Sequence, residues 1–194
     1  MGSKMNTRTN TREKILNTAA FLFQKNGYHA TGLNEIIKKS GTPKGSLYYH
    51  FPNGKEELVA ATIKLMGDKI QHQIKEELAK NSDPVLAFKE FILDLAQNFN
   101  EKDQENCFSI GLLALETVPI NESLRKTCIE VYDLWTDAYY QKLVSSGFSS
   151  EKARELSLIL QLIIEGAITI SLIRNNTTML VAAAEKISVL FENK

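Results

Sequence analysis

At 194 residues the chain is long enough for one or two domains with a sizeable helical core. Its two cysteines, Cys107 and Cys128, exclude a disulfide framework and point to a reducing cytoplasm; no His/Cys/Asp/Glu set has metal-ligand spacing, so neither a metal nor another cofactor is expected. The formal net charge of zero conceals a division: residues 1–51 hold eight Lys/Arg against Glu13 and Glu35, and the remainder holds fifteen against twenty-one acidic residues. A cationic head on an anionic body suits a protein that turns one face to nucleic acid.

In chain order, residues 1–10 are polar and read as a frayed arm, with Arg8 and Arg12 able to lie along a phosphate backbone or simply to be solvated. A first helix is predicted over about Thr11–Asn26. Ile15, Ala19, Leu22 and Phe23 form its apolar stripe and Gly27 stops it. A second short helix runs over Leu33–Ser40, with Thr31 as its N-cap and Ile36 and Ile37 inward. Gly41 ends it, and Thr42-Pro43 restarts the chain, Thr42 as N-cap and Pro43 at the first helical position. The third helix, Lys44–His50, is held to the core by Leu47 and Phe51. Two short helices in this arrangement make a helix-turn-helix whose second member reads DNA. Lys44 at a helix N-terminus suits a phosphate. Gly45 permits close approach to a base edge, Ser46 lies beside it, and Tyr48, Tyr49 and His50 present flat rings with polar tips. Read singly, a Tyr-Tyr pair is an ordinary surface feature; read together, these residues demand a common explanation.

The string Thr31…Ile36-Ile37…Ser40-Gly41-Thr42-Pro43-Lys44-Gly45-Ser46-Leu47-Tyr48-Tyr49-His50-Phe51, followed by Lys55-Glu56-Glu57-Leu58, resembles the DNA-binding signature of the TetR family of bacterial transcriptional repressors. The resemblance covers about residues 11–60. Two departures stand out: Pro43 replaces the usual Ser-like cap, and one extra residue separates Phe51 from Lys55. The Phe51-Pro52-Asn53-Gly54-Lys55 form is similar to the LmrA/YxaF-like branch. Thr31, Thr42, Lys44, Gly45, Ser46, Tyr48, Tyr49, His50 and Lys55 are the DNA-binding candidates. Lys44 and Lys55 would position the head, Gly45, Ser46 and Tyr48 would read bases, and Tyr49 and His50 would hold phosphates.

A fourth helix, about Lys55–Lys80, is long enough to act as a stiff lever, spanning roughly 39 Å. Asn81-Ser82-Asp83-Pro84 punctuates the chain. Further helices are predicted at about Pro84–Asn98, Cys107–Val118, Asn121–Ser145, Glu151–Arg174 and Thr178–Glu192. The expected fold is all-α with about nine helices, residues 1–54 forming the DNA-binding domain and 55–194 a ligand-binding and dimerisation domain. Met66, Phe91, Phe99, Cys107, Phe108, Leu112, Trp135 and Tyr139, with Glu116 as an isolated charge, are candidates for a small-molecule pocket. An ordinary core is the plainer reading of each one; several Trp and Tyr side chains in one small domain favour a cavity with a few polar groups, and the resemblance implies an inducer pocket here. Leu156–Ile173 approaches membrane-spanning length, but Gln161, Glu165 and Arg174 interrupt or bound it. A buried interface helix, with no membrane partner, is the expectation. Leu158, Leu162, Gly166, Ala167, Ile170 and Ser171 are its interface candidates, and the resemblance implies a four-helix homodimer contact.

The function expected is a ligand-responsive homodimeric repressor, bound to a palindromic double-stranded operator and released by a small apolar or aromatic inducer. Alternatives are an activator or a ligand-independent DNA binder. An enzyme would need a nucleophile with its base or a metal set, and His29, His50 and His72 belong to no such motif.

Overall fold

The computed structural model describes residues 3–100, 110–119 and 121–192, with side chains from residue 11 onward apart from Asn100. The described residues form α1 (Ser3–Ala30), α2 (Leu33–Ser40), α3 (Lys44–His50), α4 (Lys55–Ala79), α5 (Pro84–Asn100), α6 (Ile110–Thr117), α7 (Glu122–Ser145), α8 (Ser150–Arg174) and α9 (Thr178–Lys186), followed by a 3-10 helix, Ile187–Phe191. The helix begins at Ser3, not at Thr11: no Pro or Gly interrupts residues 3–26. The last helix is shorter than its apolar pattern predicts, because the chain tightens into the 3-10 turn after Lys186.

Two compact units result, one from residues 1–67 and 108–131, the other from 68–107 and 132–194. In the first, Ile15, Leu16, Ala19, Leu22 and Phe23 of α1 are buried with Ile36 of α2, Leu47 and Phe51 around α3, and Leu58, Val59 and Ile63 of α4. α3 has only seven residues, too short to hold as an isolated helix, so its conformation depends on this packing. In the second, Phe88 of α5 meets Tyr139 of α7 edge-on at 5.6 Å and Phe191 at 6.2 Å. α5 and α8 both pack on α9.

The connections follow from turn chemistry. Gly41 adopts φ 62° and donates its N–H to Lys38 O, ending α2. After α7, Gly147 (φ 91°) donates to Val144 O while Phe148 donates to Leu143 O, a Schellman closure. Asp83 Oδ1 accepts from Leu86 N, starting α5, and Ser149 Oγ accepts from Lys152 N, capping α8.

Two predicted caps are corrected. Thr31 does not cap α2, whose N-cap is Gly32. The Thr31 hydroxyl instead donates back to the carbonyls of Leu22 (3.0 Å) and Gly27 (2.8 Å), on either side of the end of the regular helix at Gly27 (φ 79°, ψ 170°). Thr42 does not cap α3 either. Pro43 occupies the N-cap, its extended ψ of 142° being the conformation a cap needs, and Thr42 pairs with Ser40 Oγ at 2.7 Å.

One helix crossing in the first unit is unusually close. A Cβ built on Gly67 of α4 would lie 2.6 Å from Val131 Cγ1 of α7. Gly67→Ala is therefore expected to destabilise the fold by about 1–3 kcal/mol through overpacking, despite alanine's better helix propensity. Val131→Ala in that background should restore much of the loss. Urea denaturation of the two single variants and the double variant measures the coupling; additive losses would show that the crossing is not the cause.

Candidate nucleic-acid interface

The outer face of α3 is built from residues that the core does not use. Leu47 is fully buried and anchors the helix, which leaves Lys44 and Gly45 exposed, Tyr48 43% exposed and Tyr49 68% exposed. Exposed tyrosines on so short a helix are costly as packing and useful as contacts. Lys44 Nζ stands 5.9 Å from the Tyr48 ring centroid, and Tyr49 and His50 meet edge-on at 5.1 Å. An open depression of about 230 Å³ is lined by Gly45, Ser46, Tyr49, His50 and Thr11. Thr11 belongs to α1, and sequence reasoning missed it because nothing in a lone threonine signals proximity to α3. Around this face, Arg12 lies over the Phe51 ring at 5.4 Å and Lys39 over the Phe21 ring at 3.3 Å, so aromatic faces help to hold cations on the head's surface.

Three of the DNA-binding candidates are not free side chains. Thr31 is fully buried and Thr42 is buried, both with hydroxyls committed internally; they shape the turn without reaching a ligand. Lys55 is folded back, its ammonium 4.3 Å from the Tyr28 ring centroid and donating to His29 O at 3.4 Å. Burial pushes that ammonium below the ordinary lysine range, and the charge of Glu116 acts in the opposite direction. Gly54 takes φ 72°, and Asn53 N–H is held by Glu57 Oε2 at 2.9 Å, fixing the entry to α4.

Glu116 is corrected more sharply. Expected as the isolated charge of a ligand pocket, it sits on α6 in the first unit and accepts from the backbone N–H groups of Tyr28 (2.8 Å) and His29 (3.2 Å). Gly27 makes this possible: its positive φ turns the two N–H groups outward, and a Cβ there would lie 2.6 Å from Glu116 Oε1. The carboxylate is a structural clip between α6 and the end of α1, made of charge-assisted bonds.

The remaining pocket candidates fall in different places. Phe91, Phe99, Trp135 and Tyr139 are buried in the second unit. Phe91 and Tyr139 rings lie 6.4 Å apart, and Trp135 meets Tyr132 edge-on at 5.4 Å. Met66, half-buried, and Leu112, 39% exposed, belong to the first unit. Cys107 and Phe108 lie outside the described residues. A half-buried charge beside Tyr132 and Tyr139 is Glu165 of α8, whose Oε2 accepts from the Tyr132 hydroxyl at 3.3 Å. Burial raises its carboxyl above the ordinary glutamate range, opposed by that hydrogen bond. Burial also raises the Tyr139 phenol, with Glu165's charge adding to the effect. Sequence reading placed Glu165 only as an interruption of an apolar run.

α8 is long and apolar enough, by length and composition alone, to cross a membrane. In the structure it has two distinct sides. Leu156, Leu160, Ile164, Ala167 and Ser171 face inward. Leu158 (54% exposed), Leu162 (73%), Ile170 (41%) and Ile173 (77%) form an outward stripe roughly 22 Å long, with Gly166 along it. Ala167 and Ser171 are thus removed from the expected interface set: at 3.6 residues per turn they lie on the side opposite Leu162.

Comparison with known proteins follows this geometry. Residues 15–62 match the family model for bacterial regulatory proteins of the tetR family, and residues 84–186 match that for the LmrA/YxaF-like transcriptional regulator C-terminal domain. The chain is 44% identical over 190 residues to the HTH-type regulator YxaF of Bacillus subtilis, covering 98% of this chain and all of that one. It is 42% identical over 170 residues to LmrA of the same organism, covering 88% and 90%. The reduced form of E. coli NemR has the same fold, with a TM-score of 0.81 at 21% identity over 92% of this chain and 95% of that one. The chain belongs to the TetR family of helix-turn-helix transcriptional regulators, a family of DNA-binding proteins and not of enzymes, and it carries the LmrA/YxaF-like C-terminal domain.

Proposed function

We propose that this regulator is a cytoplasmic homodimeric repressor, bound to a palindromic operator and released from it by a small apolar or aromatic molecule. Residues 1–54 serve as the reading head, and residues 55–194 carry the dimer contact and the ligand site. The observation that carries the reading is the pairing of two exposed surfaces that the subunit itself does not need: the Lys44-Gly45-Ser46-Tyr48-Tyr49 face of α3 and the apolar stripe of α8. One head covers one half-site and binds weakly; an α8-to-α8 contact doubles it. Lys44 positions the head on a phosphate, Gly45, Ser46 and Tyr48 meet base edges, and Tyr49 and His50 hold the flanking backbone. Ligand acts only to the extent that it prefers the state that does not fit DNA, a coupling of typically about 1–3 kcal/mol.

The test is selection of bound sequences from a random duplex pool. The expected outcome is an inverted repeat whose half-site centres are separated by one helical turn, about 34–36 Å, or a multiple of it. Enrichment of a single half-site, or of none, overturns the dimeric reading.

A further inference from the structure

We propose that α1 is a second DNA-contacting element of the head: the depression between Thr11 and α3 takes one backbone phosphate at the edge of the groove, and Arg12, seated on the Phe51 ring, is the cation that binds it. The proposal rests on the reading of α3 as the helix that enters the groove, and adds a contact that α3 does not contain.

Two observations carry it. The first is the make-up of the depression, whose lining residues are Gly45, Ser46, Tyr49 and His50 on α3 and Thr11 on α1. Three of them bear hydroxyl groups and one an imidazole; none is acidic. Hydroxyl and imidazole donors suit an anion, and Gly45 lets its backbone come close. The depression is open, so a strand can enter and leave it, as a continuous nucleic-acid backbone must.

The second is the seat of Arg12. The residue is exposed, its guanidinium lies 5.4 Å from the Phe51 ring centroid, and no carboxylate pairs with it among the described residues. Phe51 is 1% exposed and closes α3 directly after His50, so the platform under the guanidinium is fixed to the reading helix. Arg12 also follows Thr11 directly, which puts the cation beside the depression's α1 wall. A guanidinium held by a ring face has already given up rotamer freedom and keeps its N–H donors for an anion, and its planar fork matches two phosphate oxygens at once. An apolar or cationic occupant would leave that fork unanswered. Tyr49 and His50 thus form one side of the phosphate site and α1 the other.

The experiment uses the full chain and the operator duplex recovered by selection, with single backbone phosphates replaced in turn by neutral methylphosphonates. At one position in each half-site, neutralisation is expected to weaken binding about ten-fold for the unaltered protein and less than about two-fold for Arg12→Gln. Arg12→Gln should weaken binding to operator and to random DNA by the same factor, since a phosphate contact carries no sequence information. It should also lower the slope of log K against log [salt] by about 0.9 per head. Arg12→Lys should keep the salt slope and recover part of the affinity. Thr11→Val should weaken binding without altering the slope, because the hydroxyl it removes is neutral. Arg12 acting only in the fold would move neither the slope nor the map of sensitive phosphates. Methylphosphonate penalties that match those of the unaltered protein at every position in Arg12→Gln overturn the proposal, as does an unchanged salt slope. Inhibition by inorganic phosphate beyond that by chloride at equal ionic strength overturns it too, since the depression would then hold a free anion. If Lys44→Ala still lost affinity in any of these cases, α3 would keep its role and the α1 contact alone would fall.

Discussion

Leu162→Glu is expected to make the protein monomeric and to remove operator binding while leaving the subunit folded. Leu162 is 73% exposed within the α8 stripe, so the isolated subunit loses little when it changes. In a two-fold contact the same residue appears twice, and each copy would bring a carboxylate with no partner into an apolar surface. An unpaired charge there costs several kcal/mol, against a dimer contact that nothing else replaces. Operator affinity should fall by the avidity of two linked heads, on the order of 10²–10⁴. Sedimentation equilibrium measures the first effect and fluorescence anisotropy on an operator duplex the second. A variant that remained dimeric would show that the stripe is not the contact. A monomer that retained full operator affinity would show that one head suffices.

The head was readable nearly to the residue, and the physics explains why. α2 and α3 are bounded by Gly41, which alone takes a positive φ without strain, and by Pro43, whose ring fixes φ. The misplaced caps share a cause. A threonine before a short helix offers its hydroxyl to whichever backbone group is in reach, and for Thr31 those are the carbonyls of Leu22 and Gly27, not the N–H groups of α2. Gly27 is legible as the stop of α1; which carbonyls then come within reach of Thr31 is not.

The body was legible as helices but not as faces. α8 is apolar nearly all round, so periodicity could not tell the inward residues Ala167 and Ser171 from the outward Leu158 and Leu162. Packing inside the subunit, chiefly on α9, separates them. The two glutamates illustrate the same limit. Glu116 and Glu165 each stand alone in an apolar stretch, and sequence gives no basis for preferring one as a buried charge. Glu116 goes to Tyr28 and His29 N–H because a kink 89 residues earlier aims them at it; Glu165 goes to Tyr132. Long-range partners of this kind are a property of the fold and leave no local trace.

Gly45→Ala is expected to weaken operator binding at least ten-fold while leaving the protein as stable as before or more so. Within the subunit this glycine has no use. Its φ is not in the left-handed region, and a Cβ there meets nothing within 4 Å. Alanine should improve α3 by up to about 1 kcal/mol of helix propensity. A residue that the fold would gain by replacing is explained by something outside the fold, and the N-terminal residues of a reading helix are those that approach base edges. A methyl group at that approach displaces the whole helix by a few tenths of an ångström or more, which also disturbs the contacts made by Lys44, Ser46 and Tyr48. A ten-fold loss corresponds to about 1.4 kcal/mol, well within what one disturbed base contact costs. Lys44→Ala separates positioning from reading: it should weaken binding to all sequences alike and lower the salt dependence of affinity by about one phosphate contact. Gly45→Ala should instead leave the salt slope unchanged and narrow the gap between operator and random DNA. If Gly45→Ala bound the operator as tightly as the unaltered protein, α3 would not enter the groove by its N-terminal turn, and the roles given to Ser46 and Tyr48 would fall with it.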